Sequence, residues 1–300
     1  MRVFITGAGG FIGGSVAARL MQDGIGVRGL VRTQEQAERL AARGIVPVLG
    51  TLDDGETLRR EAGLADAVIN AASSDHLFAV QTLLDALAGS GKAFIHTSGS
   101  SVIGDDARGE WASQQVFSED TPYTPAPEKA ARAALDQLIR AAAQHDVRSV
   151  ILCNSMIYGT GSGLHADSVQ IPPLVAQARR SGIARYVGKG LNIWSNVHID
   201  DVAQLYLLAL RDAAAGSFYF VENGEASYAQ IVTAIAERLG LGPAQPWPVQ
   251  DAIDEWGFGH AVYSFGSNSR VSSARARKEL GWQPQHRSVL DWIRNEMRVD

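Results

Sequence analysis

A single cysteine, Cys153, stands in a chain of 300 residues. An intrachain disulfide is therefore impossible, and a reducing compartment is expected. No run of Lys or Arg occurs and the formal net charge is −5, which argues against a nucleic-acid partner. No apolar stretch approaches the roughly 18–20 residues of a membrane span, so no membrane partner is expected. The seven histidines are scattered, without close spacing to Cys153 or to carboxylates, and supply no pattern for a structural metal. The chain opens directly on a strand, MRVFITGAGG, with no signal peptide read in front of it. These absences together describe a soluble cytoplasmic protein that acts on a small molecule. They leave its oligomeric state open.

What is present is alternation. VFIT (3–6), GVRGLV (26–31), VPVL (46–49), AVINAA (67–72), AFIHTS (93–98) and SVILC (149–153) are short apolar runs. Such runs suit strands covered on both faces of a parallel sheet. Helical stretches are predicted between them at 12–22, 34–42, 75–89 and 128–144. The alternation specifies an α/β fold with a doubly wound parallel sheet. Beyond residue 155 the rhythm breaks, with a helix at IPPLVAQARRSG, a strand-to-helix crossing at WSNVHIDDVAQLYLLAL, a strand at GSFYFVENG and a helix over 227–239. PAQPWPV (243–249) and GWQPQ (281–285) read as loops packed over a site rather than as sheet. The expected division is a nucleotide-binding domain of residues 1–154 and 193–222, with a smaller, discontinuous substrate lobe of 155–192 and 223–300.

ITGAGGFIGGSVAARL joins the first strand to the first helix, and Gly7, Gly10 and Gly13 fit G-x-x-G-x-x-G. Glycines permit the tight turn and let backbone N–H groups approach a pyrophosphate at the helix N-terminus. An acid about 20 residues further on would bind the adenosine ribose of NAD. Here the second strand ends in LVRTQEQ, with Arg32 where that acid belongs and no acid before Glu35. A guanidinium suits a 2′-phosphate in charge and in fork geometry. NADP is the expected cofactor, with NAD the alternative; the bland reading of Arg32 is an ordinary surface arginine.

TGAGGFIG, NAA at 70–72, HTSGSSVIG at 96–104, IYG at 157–159, VHIDDVA at 197–203 and KELGWQP at 278–284 follow one another in order. In these landmarks the chain resembles the extended short-chain dehydrogenases, the NAD(P)-dependent epimerase/dehydratase group, over nearly its full length. The resemblance implies a Rossmann domain with NAD(P) at its strand ends. It places Phe11 and Ile12 of the glycine motif, with Leu52, Ala71, Ala72 and Ser73, against the cofactor. It also implies a Ser after the fifth strand and a Tyr-x-x-x-Lys on the next helix, the Tyr being the general acid/base. Neither is in place. Gly99 falls where the serine belongs, flanked by Ser98 and Ser100; a register anchored on Asp136 puts Arg132 at the Lys and Glu128 at the Tyr, one anchored on Lys129 puts Pro125 at the Tyr, and neither supplies Tyr-x-x-x-Lys.

The substitutes form the candidate catalytic set. Arg132 retains the cation and can hold the nicotinamide ribose, but it cannot relay a proton. Glu128, one turn before Arg132 and expected to lie close to it, is either a base or an acid that favours the helix start. Ser98 and Ser100 either orient a substrate or satisfy a turn. Tyr158 follows the sixth strand, where ligands bind in such sheets, and is expected to face the cleft as proton donor or else to pack beneath the second lobe. Tyr123 is a weaker candidate, His96 reads as a core histidine, and Lys129 reads as a solvated surface residue. Sugar-nucleotide members of the resembling family carry a diphosphate-binding Arg where this chain has Trp194. Trp194, Trp247, Trp256 and Phe258 either line an apolar pocket or serve as interlobe packing, with Arg270 as a remaining source of charge. The expected reaction is NADP(H)-dependent hydride transfer to or from a small carbonyl, imine or alcohol. The alternatives are sugar-nucleotide epimerisation or dehydration, and a non-catalytic NADP(H)-sensing regulator.

Overall fold

Seven parallel strands form the central sheet of the computed structural model, which describes residues 1–299. They are β1 (Arg2–Thr6), β2 (Gly26–Val31), β3 (Val46–Leu49), β4 (Ala67–Asn70), β5 (Ala93–Gly99), β6 (Arg148–Asn154) and, after the short β7 (Met156–Tyr158), β8 (Arg185–Val187) and β9 (Ile193–His198), β10 (Ser217–Val221). Their order across the sheet is β10-β6-β5-β4-β1-β2-β3, so the winding reverses between β1 and β4. On β1, Val3 and Ile5 enter the core on one face while Phe4 enters that on the other. A strand covered on both sides has no polar face to show, which is why the strand runs read as continuously apolar.

The crossovers are α1 (Phe11–Gln22), α2 (Gln34–Ala41), α3 (Gly55–Leu64), α4 (Leu77–Leu87) and α5 (Ala130–Ala141), with α6 (Ile171–Ser181) and α7 (Ile199–Asp212) later in the chain. α1 and α7 pack together on one face, and α3, α4 and α5 cover the other. α3 was not expected. GETLRREAGL is mostly polar, yet it buries Thr57, Leu58, Glu61 and Ala62 on one stripe. Its start is fixed by Asp54, whose carboxylate accepts the Thr57 N–H at 3.0 Å. The predicted helix 128–144 is broken into a short 3₁₀ turn at Pro127–Lys129, then α5, then a second turn at Ala142–His145.

Two small sheets complete the fold. β9 pairs with β7 on one side and with β11 (Glu225–Ser227) on the other, and β8 pairs with β12 (Gln245–Trp247). α8 (Tyr228–Arg238), α9 (Val249–Trp256), α10 (Ala274–Leu280) and α11 (Val289–Asn295) follow. The Pro-rich tail therefore contains a strand, β12, where a loop was expected. Trp247 and Trp256 meet edge-on at 5.2 Å, and Trp256 meets Phe265 at 4.8 Å, inside a core that also holds Met156, Tyr158 and Tyr228. Trp282 of the GWQPQ stretch is fully buried, and its Nε1–H donates to the Asp201 carbonyl at 3.0 Å. These tryptophans act as packing and do not form a roof over a site.

Candidate functional site

The glycine turn lies at the carboxyl end of β1, beside the reversal of winding where doubly wound sheets bind ligands. Gly7 has φ +77°, and a Cβ there would stand 2.8 Å from the Ala71 backbone. Only glycine lets the turn and the end of β4 approach so closely. Gly10 N–H closes the turn on Gly7 O at 2.8 Å, and a Cβ on Gly13 would meet that same oxygen at 2.3 Å. No side chain caps α1. The free N–H groups of its first turn therefore face the place an anion would take.

Two cavities meet along this edge at Ala71. The first, about 320 Å³, is lined by Gly7, Gly9, Gly10, Arg32, Leu52, Ala71 and Ala72. The second, about 440 Å³, is lined by Phe11, Ile12, Ser74, Thr97 to Ser101, Lys129, Arg132, Asn154 and Trp194, among others. Together they form a groove along the strand ends, joined at Ala71. Arg32 stands at its outer end. Its backbone N–H donates to Gln36 Oε1 at 3.1 Å, and no carboxylate pairs with its guanidinium among the described residues. Residues 160–168 form a strap over the glycine turn. His165 N–H donates to Gly9 O at 3.1 Å, Ser162 N–H to Ser15 Oγ at 3.0 Å, and Arg43 Nη1 holds the Gly163 carbonyl at 2.8 Å.

At the inner end the substitutes sort themselves. Arg132 forms a forked pair with Asp75, Nε–Oδ1 2.7 Å and Nη2–Oδ2 2.5 Å, and its Nη1 donates to Ser101 Oγ at 3.2 Å. The pair holds the Asp75 carboxyl below its usual range, chiefly through these hydrogen bonds. Ser98 and Ser100 both line the groove, but their hydroxyls are already engaged. Ser98 Oγ donates to Asp136 Oδ2 at 2.8 Å, and Ser100 Oγ bonds Ser269 Oγ at 2.7 Å. Burial raises the Asp136 carboxyl to about 6, against the opposing pull of Ser98 and Arg132. Ser73 does not reach the groove wall; its hydroxyl accepts the Asp75 N–H at 3.2 Å, and Ser74 lines the wall instead.

Two expected placements are corrected. Tyr158 does not face the groove: β7 turns it into the second core, edge-on to His198 at 5.2 Å and against Trp292 at 5.8 Å. Burial also pushes its phenol well above the ordinary value. Glu128 is not Arg132's partner, because the 3₁₀ turn rotates it outward, where its Oε2 accepts the Tyr263 hydroxyl at 2.6 Å. Asp75 takes the partnership that proximity in sequence had suggested for Glu128. His96 is buried, bonded through Nδ1 to Asn70 Nδ2 at 3.0 Å, and pushed down to about 4 by desolvation.

Sequence reasoning passed over two residues that the fold brings here. Lys129 lines the groove, half-buried, with Nζ 5.4 Å from the centre of the Tyr263 ring. Tyr263 comes from a π-helical turn, Gly259–Ser264, on the far side of the groove. Their 134 positions of separation in sequence left no local signal. Beyond Tyr263 lies a chamber of about 670 Å³ walled by Phe117, Tyr123, Phe258 and Tyr263, with Asp105, Asp106, Arg108 and Glu128 also on its lining. Trp194 lines the groove with its Nε1–H bonded to Ser267 O at 2.8 Å. Arg270 is forked onto Glu225 at 2.7 and 2.9 Å. Away from the groove, ligand atoms of His198, Asp200 and His286 come within 4.8 Å of one another. The two imidazoles stack at 3.8 Å and 17°, so their in-plane lone pairs run nearly parallel and do not converge on a common ion.

Residues 3–221 match the model of the NAD dependent epimerase/dehydratase family. The chain belongs to that family, whose members are NAD(P)-dependent oxidoreductases with this Rossmann sheet. Among similar proteins, an Acremonium protein named Oxidase ucsJ is 32% identical over 323 residues, covering 94% of this chain and 92% of its own. A 4-hydroxy-2-methyl-3-oxo-4-farnesyl-3,4-dihydroquinoline-1-oxide ketoreductase from Stigmatella aurantiaca is 27% identical over 98% of this chain and 96% of its own. The fold matches dTDP-glucose 4,6-dehydratase from Bacillus anthracis in complex with NAD, with a TM-score of 0.76 and 19% identity over 96% of this chain and 92% of that one. No helix among the described residues is long and apolar enough to cross a membrane.

Proposed function

We propose that the protein is an NADP(H)-dependent oxidoreductase that transfers hydride to or from a small, largely apolar carbonyl, imine or alcohol. The observation that carries this reading is the groove itself. It is glycine-floored, bears an unpaired guanidinium at its adenosine end, and opens at its inner end into a cavity beside Lys129 and Arg132. The cofactor, when bound, supplies the hydride. In this reading the α1 N-terminus and Gly7 to Gly13 hold the pyrophosphate, and Arg32 holds the 2′-phosphate. Phe11, Ile12, Ala71 and Ala72 flank the dinucleotide, and Arg132, fixed by Asp75, faces the nicotinamide ribose. The lobe of residues 155–192 and 223–300 closes over the substrate, with Trp194 and the aromatic chamber beside Tyr263 supplying an apolar surface.

The same geometry speaks against a nucleotide sugar. Trp194 carries no charge, and the Arg270 guanidinium is neutralised by Glu225, so the two positions read as diphosphate-binding candidates offer no free cation to repay its desolvation. The relative named a ketoreductase supports carbonyl reduction. The cavity beside the nicotinamide position supports an enzyme over a cofactor-sensing regulator. Calorimetric titration with NADPH, NADH, UDP-glucose and dTDP-glucose tests the reading. NADPH is expected to bind and both sugars to show no heat. Micromolar binding of either sugar would put epimerisation or dehydration first.

A further inference from the structure

We infer that Lys129 is the catalytic acid of this groove: its ammonium stands in for the absent tyrosine and gives a proton to the substrate oxygen or nitrogen. The inference rests on the hydride-transfer reading above. The chain has only four lysines among 27 basic residues. Lys92 donates to the Gly63 carbonyl at 2.9 Å, Lys189 pairs with Glu110 at 3.0 Å, and Lys278 is exposed on α10. Lys129 differs from all three. It is half-buried in the cavity wall with Gly99, Ser101 and Arg132, and among the described residues no oxygen is bonded to its Nζ.

Its neighbours explain why it stays unpaired. Asp75, from the loop after β4, is taken by Arg132. Glu128, on the same turn, is taken by the Tyr263 hydroxyl. What remains facing the ammonium is the Tyr263 ring at 5.4 Å and the Arg132 cation. Burial, followed by Arg132, lowers the Lys129 pKa against the weaker opposing pull of Asp75 and Glu128. A desolvated lysine beside another cation gives up its proton more readily than an exposed one. The rival groups are worse placed. Tyr263 faces the outer chamber and is pushed up to about 12 by the Glu128 carboxylate, while Ser98 and Ser100 have their hydroxyls engaged.

The step balances for a ketone. The carbonyl carbon gains the hydride supplied by the dihydronicotinamide, and the C=O π pair moves to oxygen. The oxygen then takes a proton from Nζ as one N–H bond breaks. The substrate is reduced by two electrons, the cofactor is oxidised by two, and the neutral amine recovers its proton from water. In the oxidative direction the amine removes the hydroxyl proton.

Competitive acetylation of the intact protein with trace acetic anhydride, read lysine by lysine by mass spectrometry, tests this without any need for turnover. In a series between about pH 6 and about pH 11, the Lys129 ammonium is expected to lose its proton below the ordinary lysine value, the direction that burial sets. Saturating NADPH is expected to slow its acetylation by about tenfold. With NADPH and 1-phenyl-1,2-propanedione as the probe, Lys129→Met should lower turnover by about 10²–10⁴-fold. Lys129→Arg should not rescue it, because a guanidinium keeps its proton. Lys129 acetylated only where an ordinary lysine would be, and unprotected by NADPH that binds normally, overturns the assignment and leaves the cofactor reading standing. So does full turnover in Lys129→Arg, or a loss seen in Tyr263→Phe but not in Lys129→Met. Absence of NADPH binding to the unaltered protein strikes the hydride-transfer reading itself.

Discussion

Arg132 and Asp75 clasp the inner end of the groove, joining α5 to the loop after β4 through two parallel hydrogen bonds of 2.7 and 2.5 Å. The fork leaves Nη1 beside Ser101, and a Cβ on Gly99 would lie 3.3 Å from that nitrogen. A planar cation fixed in this way keeps its geometry in a manner that a lysine would not. Arg132→Ala is expected to weaken NADPH binding by about ten- to a hundredfold, the worth of a charge-assisted contact. Asp75→Asn should weaken it less, since the cation remains and loses only its anchor. Fluorescence titration of both variants checks the order.

In the proposed reading Arg32 sets a preference for NADPH. Its guanidinium is exposed at the groove's outer end without a carboxylate partner among the described residues. Arg32→Ala should cost about ten- to a hundredfold in NADPH affinity and leave NADH unchanged. Equal losses for the two cofactors would place Arg32 away from the 2′-phosphate.

The strap over the glycine turn is held by close backbone approach. A Cβ on Gly14 would stand 2.2 Å from Gly163 Cα, so one of the two backbones must shift. Gly14→Ala is expected to destabilise the protein by about 1–3 kcal/mol through overpacking. By displacing residues 160–168 it should also loosen NADPH binding. Thermal denaturation with and without NADPH measures both effects in one series.

Asp136 makes stability depend on pH. Its folded pKa, about 6, lies above the ordinary value of 3.8, so its contribution is intact below about pH 4 and is lost as pH rises through about 6. The loss is of the order of 3 kcal/mol. His96, pushed down from 6.5 to about 4, has the opposite slope over the same interval, because its buried neutral ring must be kept unprotonated. The unaltered protein should therefore show a shallow net profile between pH 4 and 6.5. Asp136→Asn should uncover the His96 slope, with stability rising as pH rises. Chemical denaturation at four pH values across that interval decides it, and a flat profile in the variant contradicts the assignment.

The sheet was legible because a strand buried on both faces carries a continuous apolar run, as 3–5 of β1, 67–69 of β4 and 93–95 of β5 do. α3 was not, because GETLRREAGL carries its buried stripe partly on Thr57 and Glu61, the latter neutralised by Arg28 at 2.6 Å. The glycine turn was readable from spacing alone. Lys129 was not, since a lysine after Pro-Glu looks solvated until Tyr263 is folded over it. Tyr158 misled because the carboxyl end of β6 does point at the ligand edge, but the chain turns at Ser155 and β7 joins a different sheet. Glu128 and Lys129 are both completed by Tyr263, from the other half of the chain, and such partners could not be read from the sequence.

The central claim is hydride transfer at the inner end of the groove, and deuterium answers it most directly. The protein would be incubated with NADPH carrying deuterium on one or the other face of nicotinamide C4, together with a panel of aromatic ketones, diketones and cyclic imines. Mass spectrometry of the products would follow. The account predicts one deuterium on the former carbonyl or imine carbon of at least one product, delivered from one face only. NADPH bound tightly and recovered with its label intact across the whole panel would contradict it.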